Sequence, residues 1–267
     1  MYTTPLAGRF IIDDSNAKDF AAAKSTPDGM SRGYQQRDWD AHPLGSFCAP
    51  FALPEIPESE WRERVEEKQR RRATPKFHKA LAGFDSLDQN GTNYCWINAI
   101  IAGMHYARAM NGLPHVALSP ASVGAPLKGY RNVGGWGSQG AKYAQEHGVC
   151  PQSLWPANGI SKKYDTAEAR EARKNFIICE FYELKPNDFG QVATALLNDF
   201  TVAVGLSWWG HEVLETELVA TPNGDFGTDI DNSWNKRWGN NGHAILNRSK
   251  STPDDAVAIR LVSPTVK

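Results

Sequence analysis

No stretch of this sequence approaches the roughly 18 consecutive apolar residues that a membrane helix requires, so no membrane partner is expected. The first thirty residues offer Phe10-Ile11-Ile12 and then Asp13-Asp14, which is not the apolar core of a signal peptide. Neither sign of charge dominates: 29 Lys and Arg stand against 30 Asp and Glu, and that balance gives no reason to expect nucleic acid. Cysteine is scarce. The four, Cys48, Cys95, Cys150 and Cys179, are too few and too scattered for a disulfide scaffold, and no CxxC pair suggests zinc. The expectation is free thiols, no metal or organic cofactor, and an intracellular or assembly-associated chain.

What is present fits a folded protein. Of 267 residues, 41% are hydrophobic, 22% charged and 10% aromatic, which excludes disorder of the whole chain. There are nine tryptophans, and Trp208, Trp209, Trp234 and Trp238 cluster near the C-terminus, so a well-packed aromatic region is expected there.

Residues 1–55 are polar and punctuated by Pro5, Pro27, Gly29, Gly33, Pro43 and Gly45, and they read as an extended arm. Such an arm is expected to pack over a β-rich lobe or to bind a partner in a larger assembly, with no cleavage needed for activity. A charged helix is predicted from Ser59, as N-cap, to Arg72, with Arg70-Arg71-Arg72 as a solvated end favoured by the helix dipole. In CWINAIIAGMHYARAM, Cys95 to Met110, apolar residues recur at three- and four-residue steps, predicting a buried central helix. Further helices are predicted over 138–147, 166–174 and 187–198. Strands are predicted at FIICEFYEL (176–184), TVAVGLSWW (201–209), HEVLETELV and HAILN. This order predicts an α+β protein with a mainly helical lobe over 56–175 and a β-rich lobe over 176–267.

The polar run Asp88 to Asn93 cannot comfortably continue a helix, which puts Cys95 at a helix N-terminus. There the unpaired amides and the dipole favour a thiolate, making Cys95 the best nucleophile of the four and the one expected to alkylate fastest. Cys179, inside FIICEF, reads as an inert core thiol. Gln89, six positions before Cys95, can add a side-chain N–H to the Cys95 backbone N–H as an oxyanion hole. Downstream lie His211, a candidate base, Asn232, a candidate orienter, and Trp234, an aromatic cover. His243 follows Asn232 and reads as structural, as does His105 on the central helix.

Taken in order, these residues resemble the papain-like cysteine peptidases. Gln89 stands to Cys95-Trp96 as in that family's active-site stretch, and Asn232-Ser233-Trp234-Asn235-Lys236-Arg237-Trp238-Gly239 is similar to its NSWGxxWG motif. Gly134-Gly135 resembles its double glycine, which would line a substrate cleft with Trp136 as a wall. LSPAS (118–122) and LWP (154–156) are similar to further family segments. The resemblance implies a two-lobed α+β fold with a β-barrel-like second lobe and a cleft between the lobes. It also implies peptide hydrolysis through a thioester, with a protein or peptide as substrate, by Cys95, His211, Asn232 and Gln89. Three departures stand out. Thr92 holds the place of a family cysteine, Glu212 follows the histidine where a small residue is usual, and Asn235 replaces a glycine. The alternative reading is a structural or docking component built on the same fold.

Overall fold

The computed structural model describes residues 10–22, 30–221 and 223–263. The arm opens with a two-residue strand, β1 (Ile11–Ile12), and a short helix, α1 (Ala17–Ala22). Helix α2 (Glu58–Arg70) begins one residue before the predicted cap, because Pro57 takes the N-cap position. Glu58 and Glu60 then face the positive end of its dipole, and Lys68 and Arg70 the negative end. Arg70 and Arg71 are exposed and paired one turn back with Glu66 and Glu67, in line with a solvated face.

Helix α3 (Pro75–Ala82) was not foreseen, although its signals are local. The Thr74 hydroxyl accepts the Phe77 N–H, Pro75 opens the first turn, and Gly83 ends the helix at φ 72°. Helix α4 (Cys95–Met110) matches its prediction end to end and is buried from Cys95 to Ala109. Helices α5 (Ala121–Leu127), α6 (Gly137–His147) and α7 (Ala167–Ala172) precede β2 (Ile178–Leu184) and α8 (Phe189–Leu197). The chain finishes as β3 (Thr201–Leu206), β4 (His211–Ala220), β5 (Phe226–Asp231), β6 (His243–Asn247), the short α9 (Arg248–Ser251) and β7 (Asp255–Val262). The predicted strand 201–209 stops at Leu206, because residues 207–210 turn, with Gly210 at φ 63°.

The strands form one sheet in the order β1-β6-β5-β4-β3-β7-β2. All neighbours are antiparallel except β1, which runs parallel to β6. The sheet is open, with β1 and β2 as its edges, so the expected barrel-like closure is corrected. Both faces are covered, and β3 and β7 are largely apolar, whereas β4 and β5 carry the buried Glu212, Glu215, Asp229 and Asp231. On β3, Val202, Val204 and Leu206 join the apolar cluster of α2 and α8, while Ala203 joins the cluster of α4; β7 alternates likewise, with Ala256 and Ala258 against Val257 and Ile259. Edge strand β2 leaves Cys179 exposed, contrary to the core position expected of it. The strand is irregular between Ile178 and Glu180, and alternation turns this thiol outward. No helix among the described residues is long and apolar enough to cross a membrane.

Candidate active site

The loop before α4 turns tightly at Asn90 and Gly91, whose φ values are 34° and 73°, and Gly91 takes the second of these without a steric penalty. Cys95 is therefore the first residue of α4. Gln89 is pinned beside it: its N–H donates to the Ser233 carbonyl and its Oε1 accepts the Ser233 hydroxyl at 2.6 Å. His211 opens β4 and Asn232 directly follows β5, neighbouring strands whose register brings the two side chains together. His211 Nε2 lies 2.8 Å from Asn232 Oδ1. The Trp234 ring stacks on the imidazole at 4.4 Å between centroids, and Trp209 meets its edge at 5.0 Å. The four C-terminal tryptophans thus form the aromatic region expected of them, with Trp209 buried and Trp208 half-buried.

The Cys95 sulfur faces the backbone N–H groups of Glu212, Trp96 and Gly33. Contact with the Glu212 N–H places the sulfur beside the start of β4. Cys95 and His211 are both fully buried. Among the described residues, the sulfur and His211 Nδ1 make no hydrogen bond to each other, and Nδ1 has no partner. Burial, with the Glu212 charge, pushes the thiol up to about 12, outweighing the three N–H groups. Burial likewise pulls His211 down to about 3, against the Asn232 hydrogen bond and aided by the nearby Arg32 charge. Burial thus favours the neutral thiol and the neutral imidazole in the closed chain. Exposed Cys179 is the accessible thiol.

The arm closes the site. The Ser31 carbonyl accepts from Gln89 Nε2 at 2.8 Å and from Trp234 Nε1 at 3.0 Å. Gln89 Nε2 also donates to Thr92 O. Gly33 O accepts the Gly135 N–H at 2.9 Å, and the Gln35 N–H donates to Gly135 O at 2.8 Å. Gly135 is thus engaged in main-chain pairing with the arm. A Cβ on Gly134 would lie 2.3 Å from Gly33 O, so only glycine admits the strand here. Trp136 is half-buried and packs against His42 and Phe47 of the arm. β1 joins the arm to the β-rich lobe by extending its sheet at the β6 edge. The passage of the arm over Cys95 runs against the expectation of an arm that leaves the site free, because it depends on backbone groups and on the missing side chain of Gly33.

His243 lies elsewhere, in a buried polar cluster. Its Nδ1 is 2.6 Å from Asp229 Oδ1 and its Nε2 is 3.0 Å from Lys79 Nζ, which in turn pairs with Asp231 at 2.6 Å. Burial opposes the ionised Asp229, but His243 and Lys76 hold it down to about 2. This ties α3 to the sheet and gives His243 the structural place expected of it. His105 is satisfied too, accepting the Leu118 N–H. Asn235, standing where a glycine was expected, takes φ 58°, a conformation that asparagine tolerates.

Comparison with solved structures decides the fold. The chain is similar to digestive procathepsin L 3 of Tenebrio molitor larval midgut, with a TM-score of 0.63 at 17% identity over 92% of this chain and 79% of that one. It is similar to procathepsin B S9 of Trypanosoma congolense, with a TM-score of 0.60 at 14% identity over 90% and 88%. It is also similar to xylellain, a cysteine protease from Xylella fastidiosa, with a TM-score of 0.54 at 16% identity over 95% and 96%. The fold is papain-like. No family model and no curated protein matches the sequence.

In this papain-like chain the sequence reading missed a second set of buried groups. Arg37 of the arm is buried and pairs with Glu183 at 2.9 Å and Asp255 at 3.1 Å. Tyr34 is buried against Gly205, where a Cβ would lie 2.1 Å from the ring. Glu212 is buried beside both Cys95 and Gly137. Two signals were available. Gly205 interrupts an otherwise largely apolar strand, which marks a close approach, and Glu212 is a charge directly after His211, where a small residue was expected.

Proposed function

We propose that the protein is a cysteine peptidase whose described conformation is latent. The observation that carries this reading is the His211–Asn232 hydrogen bond stacked under Trp234, next to a cysteine at a helix N-terminus. With Nε2 donating its proton to the Asn232 oxygen, the imidazole presents a lone pair at Nδ1. When the arm lifts and water returns, that nitrogen takes the Cys95 proton and the ion pair forms. The thiolate attacks the peptide carbonyl carbon, and the carbonyl oxygen takes the negative charge toward Gln89 Nε2 and the Cys95 N–H. The imidazolium then protonates the leaving amine as the C–N bond breaks, and water, giving its proton back to His211, hydrolyses the thioester. The Ser31 carbonyl, bonded to Gln89 Nε2, supports this role for the amide, since it already receives a carbonyl oxygen.

Digestion of a peptide library by the full chain carrying Gly33→Ala, which displaces the strand, tests the reading. His211→Ala in that background is expected to remove turnover by at least about 10⁴-fold, Asn232→Ala to lower it by less, and His243→Gln to leave it within a few-fold. Retained turnover without His211 would refute the assignment. The docking alternative draws on the complete burial of Cys95 and His211. It predicts no turnover from any displaced variant.

A further inference from the structure

The arm does more than cover the sulfur; two of its side chains enter an acidic recess. Tyr34 fills space left by Gly205, and its hydroxyl is buried without a hydrogen-bond partner. Around that ring stand the carboxylates of Asp255, Glu212 and Asp254. Glu212 Oε1 fits because Gly137 lacks a side chain, since a Cβ there would lie 2.2 Å away. Glu212 Oε2 is buried and unpartnered. A buried carboxylate oxygen with nothing to accept from is costly. Burial and the Asp255 charge push the Glu212 carboxyl well above its usual range, and burial lifts Asp255 to about 6 even beside Arg37.

The one cation that meets this cluster among the described residues is Arg37, which pairs with Glu183 and Asp255 and belongs to the arm itself. When the arm lifts, its guanidinium and the Tyr34 ring leave together. Two buried carboxylates, Glu212 and Asp255, then face the vacated groove with no positive charge opposite them. An incoming leucine would fill the space of Tyr34 and leave these acids unpaired, and an incoming glutamate would add a further one. An ammonium or guanidinium on a long stem meets both requirements, with the stem against the strand at Gly205 and the charge at Glu212 and Asp255.

We propose that the recess vacated by Tyr34 selects a lysine or arginine side chain, so that the substrates are basic peptides and Glu212 is the residue that sets this preference. The substrate part rests on the peptidase reading; the recess part does not, and two measurements separate them.

The first is calorimetric titration of the full chain carrying Cys95→Ala and Tyr34→Ala with benzamidine and with benzamide, two rings of nearly the same shape that differ in charge. Benzamidine is expected to bind at least ten-fold tighter, and Glu212→Gln in that background to bring the two together. Equal binding, or tighter benzamide, before that change would overturn the proposal whether or not the Glu212 variant folds. The second is kcat/KM of the Gly33→Ala chain, in which the covering strand is displaced, on peptides in which each position in turn carries lysine, arginine, norleucine or glutamate. A preference of ten-fold or more for the basic residues over norleucine at one position is expected. Cleavage with norleucine as good at every position would sink the substrate preference and leave the peptidase reading standing. No cleavage of any peptide, with benzamidine still preferred, would sink the peptidase reading and leave the acidic recess.

Discussion

Replacing Gly33 by alanine should unmask Cys95. A Cβ there would lie 2.0 Å from the Asn93 carbonyl oxygen, far inside contact distance, and the obstacle is backbone that cannot rotate away. Overpacking of this kind costs about 1–3 kcal/mol. Lifting the strand also gives up its two main-chain hydrogen bonds to Gly135, each worth about 0.5–1.5 kcal/mol. The consequence for the sulfur follows from its ionisation. With the thiol pushed up to about 12 in the closed chain, about one molecule in thirty thousand is a thiolate at pH 7.5. A solvated cysteine, at about 8.5, is ionised to about one part in ten. Because only the thiolate alkylates, the rate at Cys95 should rise about three-thousand-fold from ionisation alone, and access to reagent adds to that. Timed iodoacetamide labelling read by mass spectrometry measures it, with exposed Cys179 as the reference inside the same chain. In the unaltered chain Cys179 should label well before Cys95; in Gly33→Ala the order of these two should reverse. Cys95 keeping pace with Cys179 in the unaltered chain, or changing by less than about ten-fold in the variant, would refute the argument from burial.

Two further outcomes follow from the same charges. Cys95 has a higher pKa in the closed chain than in the unfolded one, so its contribution is present below about pH 8.5 and is lost as pH rises toward about 12. The unfolding free energy of the unaltered chain, less that of Cys95→Ser, should therefore fall by about 2 kcal/mol between pH 7 and pH 10, and a flat difference would count against it. Arg37→Met strands Glu183 and Asp255 inside the protein, at a cost of about 3–5 kcal/mol in denaturant unfolding, and should speed Cys95 labelling. An unchanged midpoint would show that the pair is dispensable.

How far the fold was legible depended on where each element draws its stability. Helix α4 was readable to the residue because its apolar spacing and the turn before it are local, and β4 and β6 because Val213, Leu214, Leu218 and Val219, and Ala244 to Leu246, mark buried strands. Helix α3 escaped because it is only eight residues long, carries two lysines and a histidine, and leans on Lys79–Asp231 for anchorage. Cys179 was misplaced because FIICEF reads as apolar whether its strand is central or at an edge, and edge position is a property of the whole sheet. At the site, Cys95, His211, Asn232 and Trp234 were identified from the order of motifs, and the geometry brings His211, Asn232 and Trp234 into direct contact. The closure was illegible for a different reason. Ser31, Gly33 and Gln35 act through main-chain atoms, which every residue has, and Arg37 finds its partners 146 and 218 positions away.

The short parallel pairing of Ile11 and Ile12 with Ile245 and Leu246 gives the closing strand an unusual tether. One end of the arm is stitched to the far edge of the sheet and the other continues covalently into α2, so residues 31–35 are a ligand leashed at both ends. Lifting them does not release them into solution. Their local concentration stays of the order of millimolar for linkers of this kind, whatever the concentration of the protein. Dilution therefore cannot open the cleft, and neither can a competitor that binds only weakly. A single backbone cut between the leash points changes the kinetics in kind: a strand held at one end rebinds as a slower, looser partner, and the groove becomes open to other chains.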